Sequence, residues 1–391
     1  MENIINPPKI TFKLASKVES NLIKKKINTL EDLIELALNK DIQKLYKINA
    51  DKLKRLLPTL IKLQNLVGLT KIKNELVGHI MYFLLGFQTK NEDMMHIVIT
   101  GPPGCGKTSI GHIIGEIYFY LDIIQKPLNK PIQTSECCII CSTFIQQNIQ
   151  PPVLIPPFKR QRLNTDKSYK TDKSDRAEKY KLKFKVATRS DLIAKYLGQT
   201  AIKTQEVINS ILGGVLFIDE CYSLGNAEGR DSFSKECIDT INQNLTEKKN
   251  EFLCIIAGYK DALESSFFNY NEGLKRRFPF HYDIEKYSAD ELRQIYELML
   301  SQNLNEWTIT AKKENITTFF TDNYDCFPNS AGDIETLVFQ TKIEHSKRAI
   351  ILDKSEHKQI NLEDINNGFK VYKLNRNYVK EDRTSYNMMY L

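Results

Sequence analysis

The chain has 391 residues, 41% hydrophobic and 26% charged, a balance that reads as soluble and globular with room for two or three domains that each bury a core. No run of 18 apolar residues occurs, and the densest stretch, HIMYFLLGF at 79–87, is far too short to span a bilayer, so no membrane association is expected. The net charge of +7 argues at first for nucleic acid, but Lys159 to Lys185 alone carries 11 Lys or Arg against 4 Asp or Glu, a surplus equal to that of the whole chain, which leaves the rest close to neutral.

In chain order, the opening MENIINPPKITFKLASK has no apolar core followed by a small-residue cleavage site, so no secretory signal is expected and the protein is placed in the cytoplasm. The eight cysteines do not form a disulfide framework. Cys137, Cys138 and Cys141 cluster, but no second Cys or His pair stands nearby at a zinc-ligand spacing. Residues 29–65 place apolar side chains at three and four spacing, with Thr29 as a cap ahead of Glu31 and Asp32, and predict a small helical region. Residues 66–86 continue as a helix into HIVITG, a short β-rich run.

Between 124 and 182 the pattern breaks. Six of the 13 prolines fall between Pro127 and Pro157, and the aperiodic, Lys-rich RQRLNTDKSYKTDKSDRAEKYK follows. Such a composition cannot bury enough apolar surface to offset its ordering entropy, which predicts a disordered basic insertion, the one place where nucleic-acid contact is expected. KLKFKVATRSDL then reads as a strand feeding a helix, and GGVLFIDE and FLCIIAGY as two further strands. Short apolar strands separated by helical stretches predict a parallel sheet with crossover helices. From Ser288 to about Tyr372 the pattern is helical, with no further strand of comparable quality.

The chemistry concentrates in three places. GPPGCGKT, residues 101–108, lies between a strand and a helix. Gly101, Gly104 and Gly106, with Pro102, Pro103 and Cys105 between them, let the backbone curl so that amides and a helix N-terminus face phosphates. Lys107 reaches the β and γ phosphates, and the Thr108 hydroxyl is placed for Mg²⁺. VLFIDE, residues 215–220, buries a strand and delivers two acids at its carboxyl end: Asp219 to hold magnesium, directly or through water, and Glu220 to activate the attacking water. NEGLKRRFPF brings Arg276 and Arg277 after the third strand, either as a solvated charge pair or as an arginine supplied to a neighbouring subunit's phosphates.

The order GPPGCGKT, ATRSDLIAKYLGQTAIKT, GGVLFIDECYSL, CIIAGYKDALESSF and NEGLKRRF resembles the AAA+ ATPases and, more narrowly, is similar to the branch of the red-type rubisco activase CbbX and stage V sporulation protein K, over residues 66–372 less the insertion. The resemblance implies an α/β fold: a P-loop NTPase parallel sheet of five strands (the AAA+ large domain, 66–286, interrupted at 124–182), then a small helical lid domain (287–372), with a helical N-terminal region (1–65) and a C-terminal tail (373–391). It implies ATP and Mg²⁺ as cofactors, a homo-oligomer assembled as a hexameric ring, and a protein substrate. Residue by residue it assigns the phosphate loop to Lys107 and Thr108, the second motif to Asp219 and Glu220, and the arginine finger to Arg277, with Arg276 as the alternative. Tyr196, Leu197 and Gly198 fall where these proteins place the central pore loop, whose aromatic grips a threaded polypeptide. Core packing of Tyr196 is the competing reading. The chain departs from the family at the lid, where Gly332, beside Asp333 and Glu335, stands at the position of a sensor arginine, while Tyr259 falls near the sensor position ending the third strand. Two other functions share the fold: a nucleic-acid motor or clamp-loader-like ATPase, and a slow nucleotide-dependent scaffold.

Overall fold

Thr29 opens the first helix in the way its spacing before Asp32 predicts. Its hydroxyl accepts from the Asp32 amide and the Asp32 carboxylate accepts from the Thr29 amide, a reciprocal cap at the start of α1 (Leu30–Leu38). The computed structural model describes residues 26–39, 46, 48–89, 93–124, 182–196, 198–225, 231–301 and 307–388, with side chains as far as 376. α2 (Ala50–Gln64) and α3 (Thr70–Leu84) follow, and then β1 (Ile97–Thr100) leads through the glycine-rich loop into α4 (Lys107–Tyr120). The N-terminal helices brace the far end of α4. Lys52 donates to the Leu121 carbonyl over 2.7 Å, where the helix ends with unpartnered carbonyls, and Lys62 pairs with Glu116 at 2.9 Å.

The chain resumes with β2 (Phe184–Ala187), α5 (Arg189–Leu192), α6 (Thr200–Ser210), β3 (Val215–Ile218), α7 (Ser232–Glu247), β4 (Leu253–Gly258), α8 (Glu272–Arg277) and β5 (Phe280–Asp283). The strands form one parallel sheet in the order β2-β3-β4-β1-β5. β1, β3 and β4 are buried at every residue, as central strands covered on both faces must be. Alternate side chains serve opposite faces. Ile97, Ile99, Phe217 and Ile255 join one apolar cluster, while Val98, Leu216, Ile218 and Ile256 join the other. Gly111 on α4 makes the first face close-packed, since a Cβ there lies only 2.5 Å from the Phe217 ring. Thr100 registers with Gly258 on one side and Asp283 on the other, so the segments leaving β1, β4 and β5 emerge at one level of the sheet.

The fifth strand is invisible to pattern reading, because β5, FHYD, has no apolar run and only Tyr282 in it is fully buried. Beyond it lie α9 (Ala289–Ser301), β6 (Thr308–Ile309), α10 (Lys313–Asp322), α11 (Ala331–Ala349), β7 (Gln359–Ile360) and α12 (Leu362–Met388). The β6–β7 pair is an addition to the all-helical expectation, and α12 runs on through the residues set apart as a tail. His345 and Arg348 of α11 both bond the Asp364 carboxylate, at 2.9 and 2.7 Å, and join the last two helices. The insertion and its cysteine cluster lie outside the described residues, apart from Ile124 and Leu182 at its ends. Among the described residues no helix is long and apolar enough to cross a membrane, and no cluster of His, Cys, Asp and Glu is arranged to hold a metal on its own.

Candidate active site

The glycine-rich loop has the backbone its sequence requires. Gly104 and Gly106 sit at φ +66° and +84°, where a side chain is strained, and Gly101 at +152° abuts Ile284 so closely that a Cβ has no space. Gly106 caps α4 without any side-chain bond, which leaves the first amides of the helix pointing into the loop with no partner in the helix. Lys107 folds over this loop and donates to the carbonyls of Gly101 and Pro102, at 3.0 and 2.8 Å. Cys105 is buried, and burial pushes its thiol above the ordinary range, so it is a packing residue and not a nucleophile here.

At the end of β3, the Asp219 amide bonds the Ala187 carbonyl over 3.0 Å, and the Asp219 carboxylate accepts from the Glu220 amide at the same distance. Glu220 adopts φ +48°, a left-handed conformation seldom taken by a residue with a side chain. A cavity of about 410 Å³ brings these parts together: Lys107 and Thr108 on one wall, Asp219 and Glu220 on another, and the lid residues Gly332 and Glu335 on a third. The donor set fits a nucleotide with magnesium. Loop amides and an ammonium suit phosphates, and a hydroxyl with a carboxylate supplies the hard oxygens that magnesium takes.

Other expected site residues lie apart from this cavity. Arg277 is turned onto its own domain, donating to the Thr246 hydroxyl at 2.8 Å and to the Gly273 carbonyl at 2.7 Å. Arg276 is exposed, in the last turn of α8. Tyr196 is 68% exposed, and Gly198 sits at φ +77° with nothing near its Cβ position, so the core-packing reading of Tyr196 does not hold. Leu197 lies outside the described residues.

Several features escape sequence reasoning. Tyr222 lines the cavity and forms a ring pair, centroids 5.6 Å apart, with Tyr259, the residue expected near the sensor position, and the Lys107 ammonium lies 5.4 Å from the Tyr259 centroid. The lid turn before α11 touches the loop directly, through the Ala331 amide and the Gly104 carbonyl at 3.2 Å. A second cavity of about 120 Å³ opens between Leu69–Ile72 and Asp283–Tyr287, beside left-handed Gly68 and Leu69. The Gly-Leu pair ahead of Thr70 is its only signal in the sequence.

A sequence model of the "ATPase family associated with various cellular activities (AAA)" matches residues 175–286. A cfxQ-like protein of Acanthamoeba polyphaga mimivirus is 35% identical over 367 residues, covering 93% of this chain and 76% of that protein. Stage V sporulation protein K of Bacillus subtilis is 29% identical over 208 residues, 53% of this chain and 47% of that one. The chromosomal CbxX protein of Cupriavidus necator is 43% identical over 115 residues, 29% of this chain and 36% of its own. The chain thus spans less than half the length of the two bacterial relatives. With the loop, the parallel sheet and the lid it carries, this chain belongs to the AAA family of nucleotide-binding ATPases, in the branch of the CfxQ, CbbX and stage V sporulation K proteins.

Proposed function

We propose that the protein hydrolyses ATP with Mg²⁺ in the cavity between loop and lid, as a ring of identical subunits that remodels a protein substrate. The observation that carries this reading is the convergence of Lys107, Thr108, Asp219 and Glu220 on one cavity from two separate segments. Lys107 exchanges its two carbonyl partners for phosphate oxygens. The α4 amides and the loop hold the transferred group in line. Thr108 and Asp219 would hold a magnesium ion, which would neutralise charge on the phosphates. Glu220 accepts the proton of the attacking water. The smaller cavity, lined by Leu69, Ile72, Ile284 and Tyr287 together with charged side chains such as Lys71 and Glu291, adjoins the loop through the Tyr287 hydroxyl, which donates to the Cys105 carbonyl at 3.1 Å, and is the place for the adenine base.

Assembly and substrate rest on the surface. Arg276 or Arg277 completes a neighbour's site, and exposed Tyr196 on its glycine-flanked loop grips a polypeptide by apolar contact. One observation favours a second reading, a slow nucleotide-dependent scaffold: Gly332, the position of a sensor arginine by family resemblance, lines the cavity with no cation to offer, and Glu335 lines it beside Gly332. The nucleic-acid reading rests on residues 159–185, nearly all outside those described. The experiment is ATP turnover with and without unfolded protein or DNA, alongside the mass of the assembly. Stimulation by protein in a ring-sized species supports the remodelling reading. Slow turnover indifferent to protein supports the scaffold, and stimulation by DNA supports the nucleic-acid reading.

A further inference from the structure

The turn that opens α11 is a wall of the larger cavity, which Ala331, Gly332 and Glu335 help to line, and it meets the phosphate-binding loop through the Ala331 amide and the Gly104 carbonyl. Its own geometry does little to keep it there. Ser330 takes φ +51° and ψ −122°, a costly backbone for a residue with a side chain, and that side chain makes no cap bond to α11. Gly332, where the family resemblance places an arginine, offers no side chain at all.

Asp333 supplies a brace. It is only 7% exposed, and its two oxygens accept from the Asn329 backbone amide at 2.7 Å and from the Asn329 side-chain amide at 3.2 Å. Asn329 is the residue whose carbonyl oxygen lies over Gly104. A carboxylate this far out of water calls for a cation, since neutral amides alone leave its burial costly. The cation comes from α12, on the segment set apart in the sequence as a tail. The Arg376 guanidinium lies 3.6 Å from the Asp333 carboxylate, and the same nitrogen donates to the Cys326 carbonyl at 2.6 Å and to the Tyr372 hydroxyl at 2.7 Å. That hydroxyl donates in turn to the Cys326 carbonyl at 2.9 Å, and the Tyr372 ring packs on Phe327 with centroids 5.7 Å apart. Arg376 thus grips the lid turn on both sides, at Cys326 before it and at Asp333 after it.

We propose that Arg376 is a positioning residue for the nucleotide site: through Cys326 and Asp333 it holds the Asn329–Ala331 turn against Gly104, so that nucleotide affinity depends on α12. Arg376 does not line the cavity and acts only through the turn. This rests on the reading of that cavity as the nucleotide site.

The test is the Kd of ADP with magnesium, measured by calorimetry on the full chain at a temperature below the melt of every variant. Arg376→Gln removes the charge and is expected to raise Kd about tenfold, the scale of one lost bond to a charged group. Asp333→Asn is expected to do the same, and the double variant to bind no worse than the weaker single, because the two residues act as a unit. Lys370→Ala removes an exposed cation that donates to Asn367 on the same helix, and is expected to bind as wild type. A lowered Tm with wild-type Kd in Arg376→Gln reveals a merely structural role and overturns the proposal. A double variant as weak as the product of the singles overturns it, as does an equal loss in Lys370→Ala. Should Arg376→Gln fail to fold, Tyr372→Phe carries the test: it removes only the hydroxyl that Arg376 bonds and is expected to raise Kd about threefold, and wild-type affinity there overturns the proposal. Wild-type affinity in Lys107→Ala is a different result: it overturns the reading of the cavity and this inference with it.

Discussion

The amide of Ala331 donates to the carbonyl of Gly104 over 3.2 Å, so the turn that opens α11 is seated on the phosphate-binding loop itself. The contact is backbone to backbone, and it leaves no room for a side chain. A Cβ on Gly104 collides with the Asn329 carbonyl oxygen and lies 3.0 Å from the Gly332 amide. Ser330, between them, is buried at φ +51°. A shift of the loop around a bound phosphate is therefore expected to be felt at the lid through this contact.

Gly104→Ala tests this seat. The substitution strains a left-handed position and pushes the lid turn off the loop, and is expected to cost about 1–3 kcal/mol of stability and to weaken nucleotide binding. Thermal unfolding with and without ATP reads both effects. A wild-type Tm with a wild-type ATP-induced shift contradicts the seat.

The two adjacent arginines are expected to separate by stability. Arg277→Ala loses its bonds to Thr246 and Gly273 and should be destabilised by about 1 kcal/mol, whereas Arg276→Ala stays within about 0.5 kcal/mol of wild type. The one that completes a neighbour's site is expected to bind ATP, fail to hydrolyse it, and recover turnover when mixed with Lys107→Ala subunits. No recovery in either mixture contradicts a shared site.

Tyr196→Ala is expected to leave stability within about 0.5 kcal/mol of wild type, as suits a side chain that is 68% exposed. Basal ATP turnover should persist while stimulation by a protein substrate is lost. A stable variant that remodels protein at the normal rate removes Tyr196 from the mechanism.

Arg189, at the start of the segment leading to Tyr196, donates to the Ser223 carbonyl at 2.6 Å and to the Asp231 carboxylate at 2.5 Å, tying that segment to the turn that follows Glu220. Burial raises the Asp231 pKa, but the bonds from Ser234 and Arg189 outweigh it and hold the group down to about 2. Because the folded value lies below the unfolded one of about 3.9, the stabilisation is present above that pH and is lost as pH falls toward about 2. Asp231→Asn is therefore expected to be less stable than wild type by about 1–2 kcal/mol at neutral pH, with the gap narrowing below about pH 4. Urea melts across this range check it, and equal stability at neutral pH contradicts it.

What the sequence reveals follows from how local each feature is. The loop at Gly101–Thr108 and the Asp219–Glu220 pair are legible because a few contiguous residues specify backbone, charge and position at a strand end. Exposure of Tyr196 is legible from its setting before a glycine bend. The seat of Asn329–Ala331 on Gly104 is not, because it pairs backbone atoms far apart in the chain and no side-chain type announces it. Tyr222 reads as one more apolar residue after VLFIDE until the fold lays it over Gly258. β5 is hidden by its mixed composition, FHYD, in which only Tyr282 is buried, and α12 by a polar composition that outruns the apolar pattern used to bound it.

The central claim is that Lys107 and Glu220 serve one nucleotide, the first to bind it and the second to turn it over. The most direct measurement is ATP affinity and turnover in Lys107→Ala and Glu220→Gln, side by side. Lys107→Ala is expected to lose binding, whereas Glu220→Gln binds ATP as wild type and turns it over about 10²-fold or more slowly, the scale of general-base catalysis. Wild-type affinity in Lys107→Ala, or wild-type turnover in Glu220→Gln, contradicts the account.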